Sequence, residues 1–208
     1  MFLPWQEHGL LMFSRIVFFA IMTSEVNEMD FEEKVTNVEH LFDGKVIDLD
    51  RETVMLPNGK EALREIVRHH GAVGVIAITP QDKMVFIKQW RSPLGQVTLE
   101  IPAGKIEPDE QNSPLETATR ELNEEARYTA ENLELVMPFY TSPGFADEKI
   151  YLYHASGLSP VTTELPQDED EFLEKVELTL PEALKAMQEG LICDSKTIMA
   201  VMFWQLMN

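Results

Sequence analysis

The sequence predicts an α/β fold in which helices cover a mixed sheet on both sides, preceded by a small antiparallel β domain. Three observations carry this. Short β-rich runs separated by turn signals fill residues 43–101. One amphipathic helix, over about 114–126, falls between strands instead of after them. Two further helical stretches close the chain, and strands interleaved with helices bury a sheet between helical layers.

Residues 43–69 read as a meander of Lys45–Leu49, Thr53–Leu56 and Lys60–Arg68, with Pro57-Asn58-Gly59 as a strong turn signal. Ala72–Thr79 and Met84–Trp90 are apolar strands joined by Pro80-Gln81-Asp82, and Val97–Ile101 follows. The helix starts at Ser113-Pro114-Leu115-Glu116, with Ser as N-cap, Pro in the first turn and Glu closing a capping box. Leu115, Ala118, Leu122 and Ala126 share one face for the core. Leu133–Tyr140 and Lys149–Ala155 are strands around a loop at Pro143. Ser156–Asp170 is a polar loop, and Asp168–Glu171 reads as a solvated acidic run. Phe172–Leu178 is the last strand; Pro181–Glu189 and Ser195–Met207 are helices, with Gly190 as a stop between them.

The division expected is an atypical extension over 1–28, a β meander over 29–69 and a larger domain over 70–208. Leu10–Met22 is apolar but broken by Ser14 and Arg15, too short to span a bilayer, and lacks the basic start of a secretory signal. The expectation is that the working protein begins at Met22 or Met29. The formal net charge of −19, without a basic run, argues against nucleic acid, which is held by Lys and Arg. The polar face of Leu10–Met22 has little cationic character, which argues against a membrane-surface helix and a membrane partner. The single cysteine, Cys193, excludes an intrachain disulfide and a Cys-based zinc cluster, which fits the cytoplasm. The histidines, including adjacent His69 and His70, read as structural or solvated.

Chemistry concentrates in Gly104-Lys105-Ile106-Glu107-Pro108-Asp109-Glu110 and Arg120-Glu121-Leu122-Asn123-Glu124-Glu125. Glu121 and Glu125 are four apart and Glu124 is three from Glu121, so the helix is acidic beside its apolar stripe. Crowded carboxylates raise each other's pKa unless a cation resolves the conflict. Oxygen-only ligands suit Mg²⁺, with Mn²⁺ as substitute. On spacing alone, two readings stand: a metal site and a solvated acidic surface.

The segment resembles the Nudix box, through Gly104, Glu110, Arg120, Glu121, Leu122, Glu124, Glu125 and Tyr128. It departs from the box twice. Nine residues instead of seven separate Glu110 from Arg120, an insertion assigned to the loop at Gln111-Asn112, and Arg127 replaces the final glycine. Arg127 either ends the helix in a left-handed conformation or lets it continue. Leu99-Glu100-Ile101-Pro102-Ala103-Gly104, Trp90-Arg91-Ser92-Pro93, Ser142-Pro143-Gly144-Phe145-Ala146-Asp147-Glu148, and Pro143 at sixteen residues past Arg127 are similar to the ADP-ribose pyrophosphatases within that family.

The resemblance implies a Nudix α/β/α sandwich and Mg²⁺-dependent hydrolysis of ADP-ribose to AMP and ribose 5-phosphate. It also implies a homodimer in which the N-terminal strands of one subunit help build the other's pocket. Glu121, Glu125 and Glu124 become the metal ligands, joined by the Ala103 carbonyl. Arg120 holds a neighbouring glutamate. Glu148 acts on the attacking water or binds an additional metal; its bland alternative is an exposed loop residue. Arg64, Arg91 and Glu107 are candidates for contact with the substrate; each of the two arginines is equally a surface strand residue, and Glu107, like Glu110, has the alternative of a plain loop carboxylate. Two rivals remain: hydrolysis of another nucleoside diphosphate derivative, such as a nucleotide sugar or dinucleotide, and a sensor that binds ADP-ribose without cleaving it.

Overall fold

The computed structural model describes residues 31–107, 113–167 and 172–207. The extension over 1–28, Glu110 with the Gln111-Asn112 insertion, and the acidic run at Asp168–Glu171 lie outside these residues.

Three antiparallel strands form the N-terminal sheet in the order β1-β2-β3: β1 (Lys34–Asp43), β2 (Asp48–Met55) and β3 (Glu61–Arg68). β1 falls inside the expected 29–69 domain but ahead of the first strand run expected there, and every one of its residues is exposed. The expected pair of runs at Lys45–Leu49 and Thr53–Leu56 is instead the single strand β2. Its charged middle does not interrupt it, because Asp50 and Glu52 are buried against partners: Asp50 meets His40 at 2.6 Å, and Arg68 reaches Glu52 at 2.5 Å. The Asn58-Gly59 turn forms as expected, with Gly59 at φ +79°.

The larger unit holds β4 (Ala72–Ala77), β5 (Met84–Arg91), β6 (Gln96–Glu100), β7 (Ala103–Lys105), β8 (Tyr128–Thr129), β9 (Asn132–Tyr140), β10 (Lys149–Ser156), β11 (Ser159–Pro160) and β12 (Glu174–Leu178). Its helices are α1 (Pro114–Glu124), α2 (Leu180–Gln188) and α3 (Ser195–Met207). A four-stranded mixed sheet has the order β7-β4-β10-β9, with β4 and β10 parallel. A three-stranded antiparallel sheet has the order β12-β5-β6.

Side-chain alternation along β4 divides the core. Val73, Val75 and Ala77 pack with Ala118, Leu122 and Ala126 of the α1 segment. Ile76 faces the other way, with Ala183 and Ala186 of α2 and Ala200, Val201 and Trp204 of α3. The strands thus lie between α1 and the α2–α3 pair, the α/β/α layering the sequence predicts.

Two details of α1, the burial of Leu115 and the cap at Ser113, differ from expectation, and the alternative left open at Arg127 is decided. Leu115 is 45% exposed, and Thr117 is buried in its stead. Ser113 stands at the N-cap without a side-chain capping bond. The helix ends at Glu124, and Arg127 turns the chain with φ +61°, the left-handed alternative. The capping box appears on α2, where the Thr179 N–H donates to Glu182 at 2.8 Å.

Candidate active site

A cavity of about 870 Å³ opens among the start of β4, the end of β5, β7, α1, the loop 141–148 and the start of α3. Burial of Ala118 and Leu122 fixes the rotation of α1, and this turns its acidic stripe to the cavity. Arg120, Glu121, Glu124 and Glu125 all line it. Glu121 and Glu125 are themselves buried.

These carboxylates are held apart by donors of the chain. One Arg120 nitrogen donates to Glu121 at 2.7 Å and to Glu124 at 2.6 Å. The Ala103 N–H donates to Glu125 at 2.7 Å. Among the described residues no three acidic, His or Cys side chains stand together as a ready-made cation cage. The donor set is nonetheless oxygen-rich, and Arg120 occupies it as a cation would. Gly104 makes the approach possible, since a Cβ there would lie 1.9 Å from Glu121 Oε1.

On the far wall, Glu148 accepts a hydrogen bond from the Thr141 hydroxyl at 2.5 Å. Its other oxygen is 4.0 Å from His69 Nε2. Glu107 lines the cavity near Lys105, at 3.2 Å. Arg91 also lines it, gripped by Glu100 through two bonds of 2.6 Å each. Glu100 is buried and shared: Thr98 donates to it at 2.8 Å, and Lys196 at the start of α3 donates to it as well. Burial pushes the Glu100 carboxyl up, but the hydrogen bonds and charges of Arg91 and Lys196 prevail and bring it down to about 2. Glu100 in turn holds the Arg91 guanidinium above its ordinary value, against the effect of burial.

Segments far apart in sequence therefore place carboxylates and cations around one cavity. A model of the NUDIX domain matches residues 68–198, which cover most of that site. The chain belongs to the Nudix family. Its similarity to known proteins extends beyond the domain. It is 52% identical to the methanol dehydrogenase activator of Bacillus methanolicus over 176 residues, 85% of this chain and 94% of that one. It is 49% identical to the ADP-ribose pyrophosphatase of Bacillus subtilis (strain 168) over 175 residues, 84% and 94% of the two chains. A crystal structure of an ADP compounds hydrolase superimposes with a TM-score of 0.72 at 22% identity, covering 85% of this chain and 93% of the other, and so shares the fold.

Of the residues proposed from sequence, Ala103, Glu107, Arg91, Arg120, Glu121, Glu124, Glu125 and Glu148 line one cavity. Arg64 does not line it. It lies on β3 in the N-terminal sheet, paired with Glu33 at 2.6 Å. Sequence reasoning missed Asp194 and Lys196, which come to the cavity only because α3 packs back on the sheet. It also passed over His69 and Thr141. The adjacency of His69 to the β3 end, and of Thr141 to the Ser142-Pro143 motif, was the available signal.

Proposed function

We propose that this Nudix protein hydrolyses the diphosphate linkage of ADP-ribose, giving AMP and ribose 5-phosphate, with Mg²⁺ as cofactor and Mn²⁺ as substitute. The observation that carries the reading is the cavity itself, with the box carboxylates on one wall and Glu148 on another. The ADP-ribose pyrophosphatase relative, similar over 84% of the chain, supports the substrate.

Glu121, Glu124 and Glu125, with the Ala103 carbonyl, would hold the cation; their oxygens suit a hard divalent ion, and Gly104 leaves room for Glu121. When bound, it supplies charge that reduces repulsion among the diphosphate oxygens and favours ionisation of water. Arg120 keeps Glu121 and Glu124 in place. Arg91, oriented by Glu100, offers a planar cation to the diphosphate. Glu107 contacts the substrate at the cavity rim. Glu148, steadied by Thr141, orients the attacking water and takes its proton.

Arg64 serves the pocket of a second copy in a homodimer built through the N-terminal sheets. The exposure of Val35, Val38, Leu41 and Phe42 on β1 supports this, because one sheet leaves a run of apolar side chains uncovered. No described helix is long and apolar enough to cross a membrane. We assign the protein to the cytoplasm.

A panel of nucleoside diphosphate compounds, assayed with Mg²⁺ in water enriched in heavy oxygen, tests the reading. ADP-ribose should be cleaved fastest, with AMP and ribose 5-phosphate as products and the label in one of them. Faster cleavage of a nucleotide sugar would refute the substrate but not the chemistry. Binding of ADP-ribose without products would refute the chemistry.

A further inference from the structure

His69 follows the last residue of β3, and its side chain is only 12% exposed at the cavity wall. Two contacts fix it. The Asp147 carboxylate accepts the His69 backbone N–H at 2.8 Å and a bond from Arg68 at 3.1 Å. The His69 ring accepts the Gly71 N–H at Nδ1, at 3.0 Å. A ring nitrogen that accepts carries no proton, so the neutral imidazole keeps its hydrogen on Nε2. That N–H is the group 4.0 Å from the Glu148 oxygen.

The loop bearing Glu148 is fastened to the same place. Val67 donates to the Phe145 carbonyl at 2.8 Å, and Asp147 donates to the Val67 carbonyl at 3.1 Å. His69 and Glu148 therefore face each other from two segments that share a backbone ladder. Their separation exceeds a direct hydrogen bond. Two bonds of about 2.8 Å meeting at one water, at an angle between 90° and tetrahedral, span roughly 4–4.6 Å.

We propose that His69 is a positioning residue for hydrolysis: its Nε2–H donates to the water that donates to Glu148, and so turns a lone pair of that water toward the cavity. This rests on the reading of Glu148 given above. Two different groups then fix the water's orientation, one accepting its proton and one occupying a lone pair. Glu148 alone leaves the water free to rotate about a single bond.

Five proteins test this with ADP-ribose and Mg²⁺: wild type, His69→Ala, His69→Gln, Glu148→Gln and the double variant His69→Ala/Glu148→Gln. His69→Ala should lower kcat roughly 10- to 100-fold, with KM changed far less. His69→Gln should recover most of that loss, since its terminal amide places an N–H near the position of Nε2. The double variant should be no slower than Glu148→Gln, because both changes disturb one water. Separately, nitrogen-15 shifts of the His69 ring should show a protonated Nε2 and a bare Nδ1. A rise in KM alone, a glutamine as inactive as alanine, multiplying losses in the double variant, or the opposite tautomer would each overturn the proposal. Wild-type turnover in Glu148→Gln would overturn the reading of Glu148 and the proposal with it, and only that result does so without any His69 variant.

Discussion

Replacing Glu100 by glutamine keeps the size of a buried side chain and removes the charge that joins Arg91 to Lys196. The carboxyl is brought from 4.5 to about 2 in the folded protein. A tenfold change in proton affinity is worth about 1.4 kcal/mol, so the ionised form is favoured there by roughly 3 kcal/mol. The folded value is depressed, so the stabilisation is complete above pH 4.5 and fades as pH falls from there toward 2. Glu100→Gln should therefore lose roughly 3 kcal/mol at pH 7, read as a lower urea midpoint. The matching fall in Tm is roughly 6–12 °C for a chain of this size. The variant should also lack the part of the acid-induced decline that wild type shows between pH 4.5 and 2. Adding Lys196→Met should cost less than the sum of the single changes, since Glu100 and Lys196 are direct partners and neither is then left buried without the other. A loss below about 1 kcal/mol at pH 7, with the acid slope unchanged, would refute the reasoning.

Three further outcomes follow from the same geometry. Gly104→Ala should displace Glu121 and weaken Mg²⁺ binding at least tenfold in calorimetry, with roughly 1 kcal/mol or less lost in stability. Glu125→Gln keeps a carbonyl oxygen for the Ala103 N–H, so the urea midpoint should hold while turnover falls by roughly 10² or more; near-normal turnover at saturating Mg²⁺ would remove Glu125 from the metal set. Trp204→Ala, at a residue 1% exposed on the buried face of α3, should cost roughly 3–5 kcal/mol in denaturant melts.

Sequence periodicity identified α1 and its acidic stripe because both follow from local spacing along one helix. It identified β4 and β5 because β4 and the first half of β5 are apolar runs buried on both faces. β1 escaped it for the opposite reason: all ten of its residues are exposed, so no burial pattern marks the strand. The Asp50–Glu52 stretch of β2 looked like a break, since nothing local announces that Arg68 and His40 will satisfy it. The site divides in the same way. Glu121, Glu124 and Glu125 lie within five consecutive positions and were legible together. Lys196 meets Glu100 across 96 positions, through the packing of α3, and no motif announces that contact.

Arg127 occupies left-handed backbone at φ +61°, where the box pattern has glycine. Such a conformation costs a non-glycine residue roughly 1 kcal/mol. Its side chain makes the position useful: the guanidinium donates to the Leu165 carbonyl at 2.5 Å. Asn123, one turn back, bonds the same strip twice, to the Thr163 carbonyl at 3.1 Å and from the Leu165 N–H at 3.0 Å. Two side chains at the end of α1 thus share the task of holding residues 163–165. A glycine at this position would serve only the turn, whereas Arg127→Gly in this chain relaxes the backbone and gives up an anchor. Positions 123, 127 and 163–165 thus form one coupled unit, in which a change at one alters what a change at another costs.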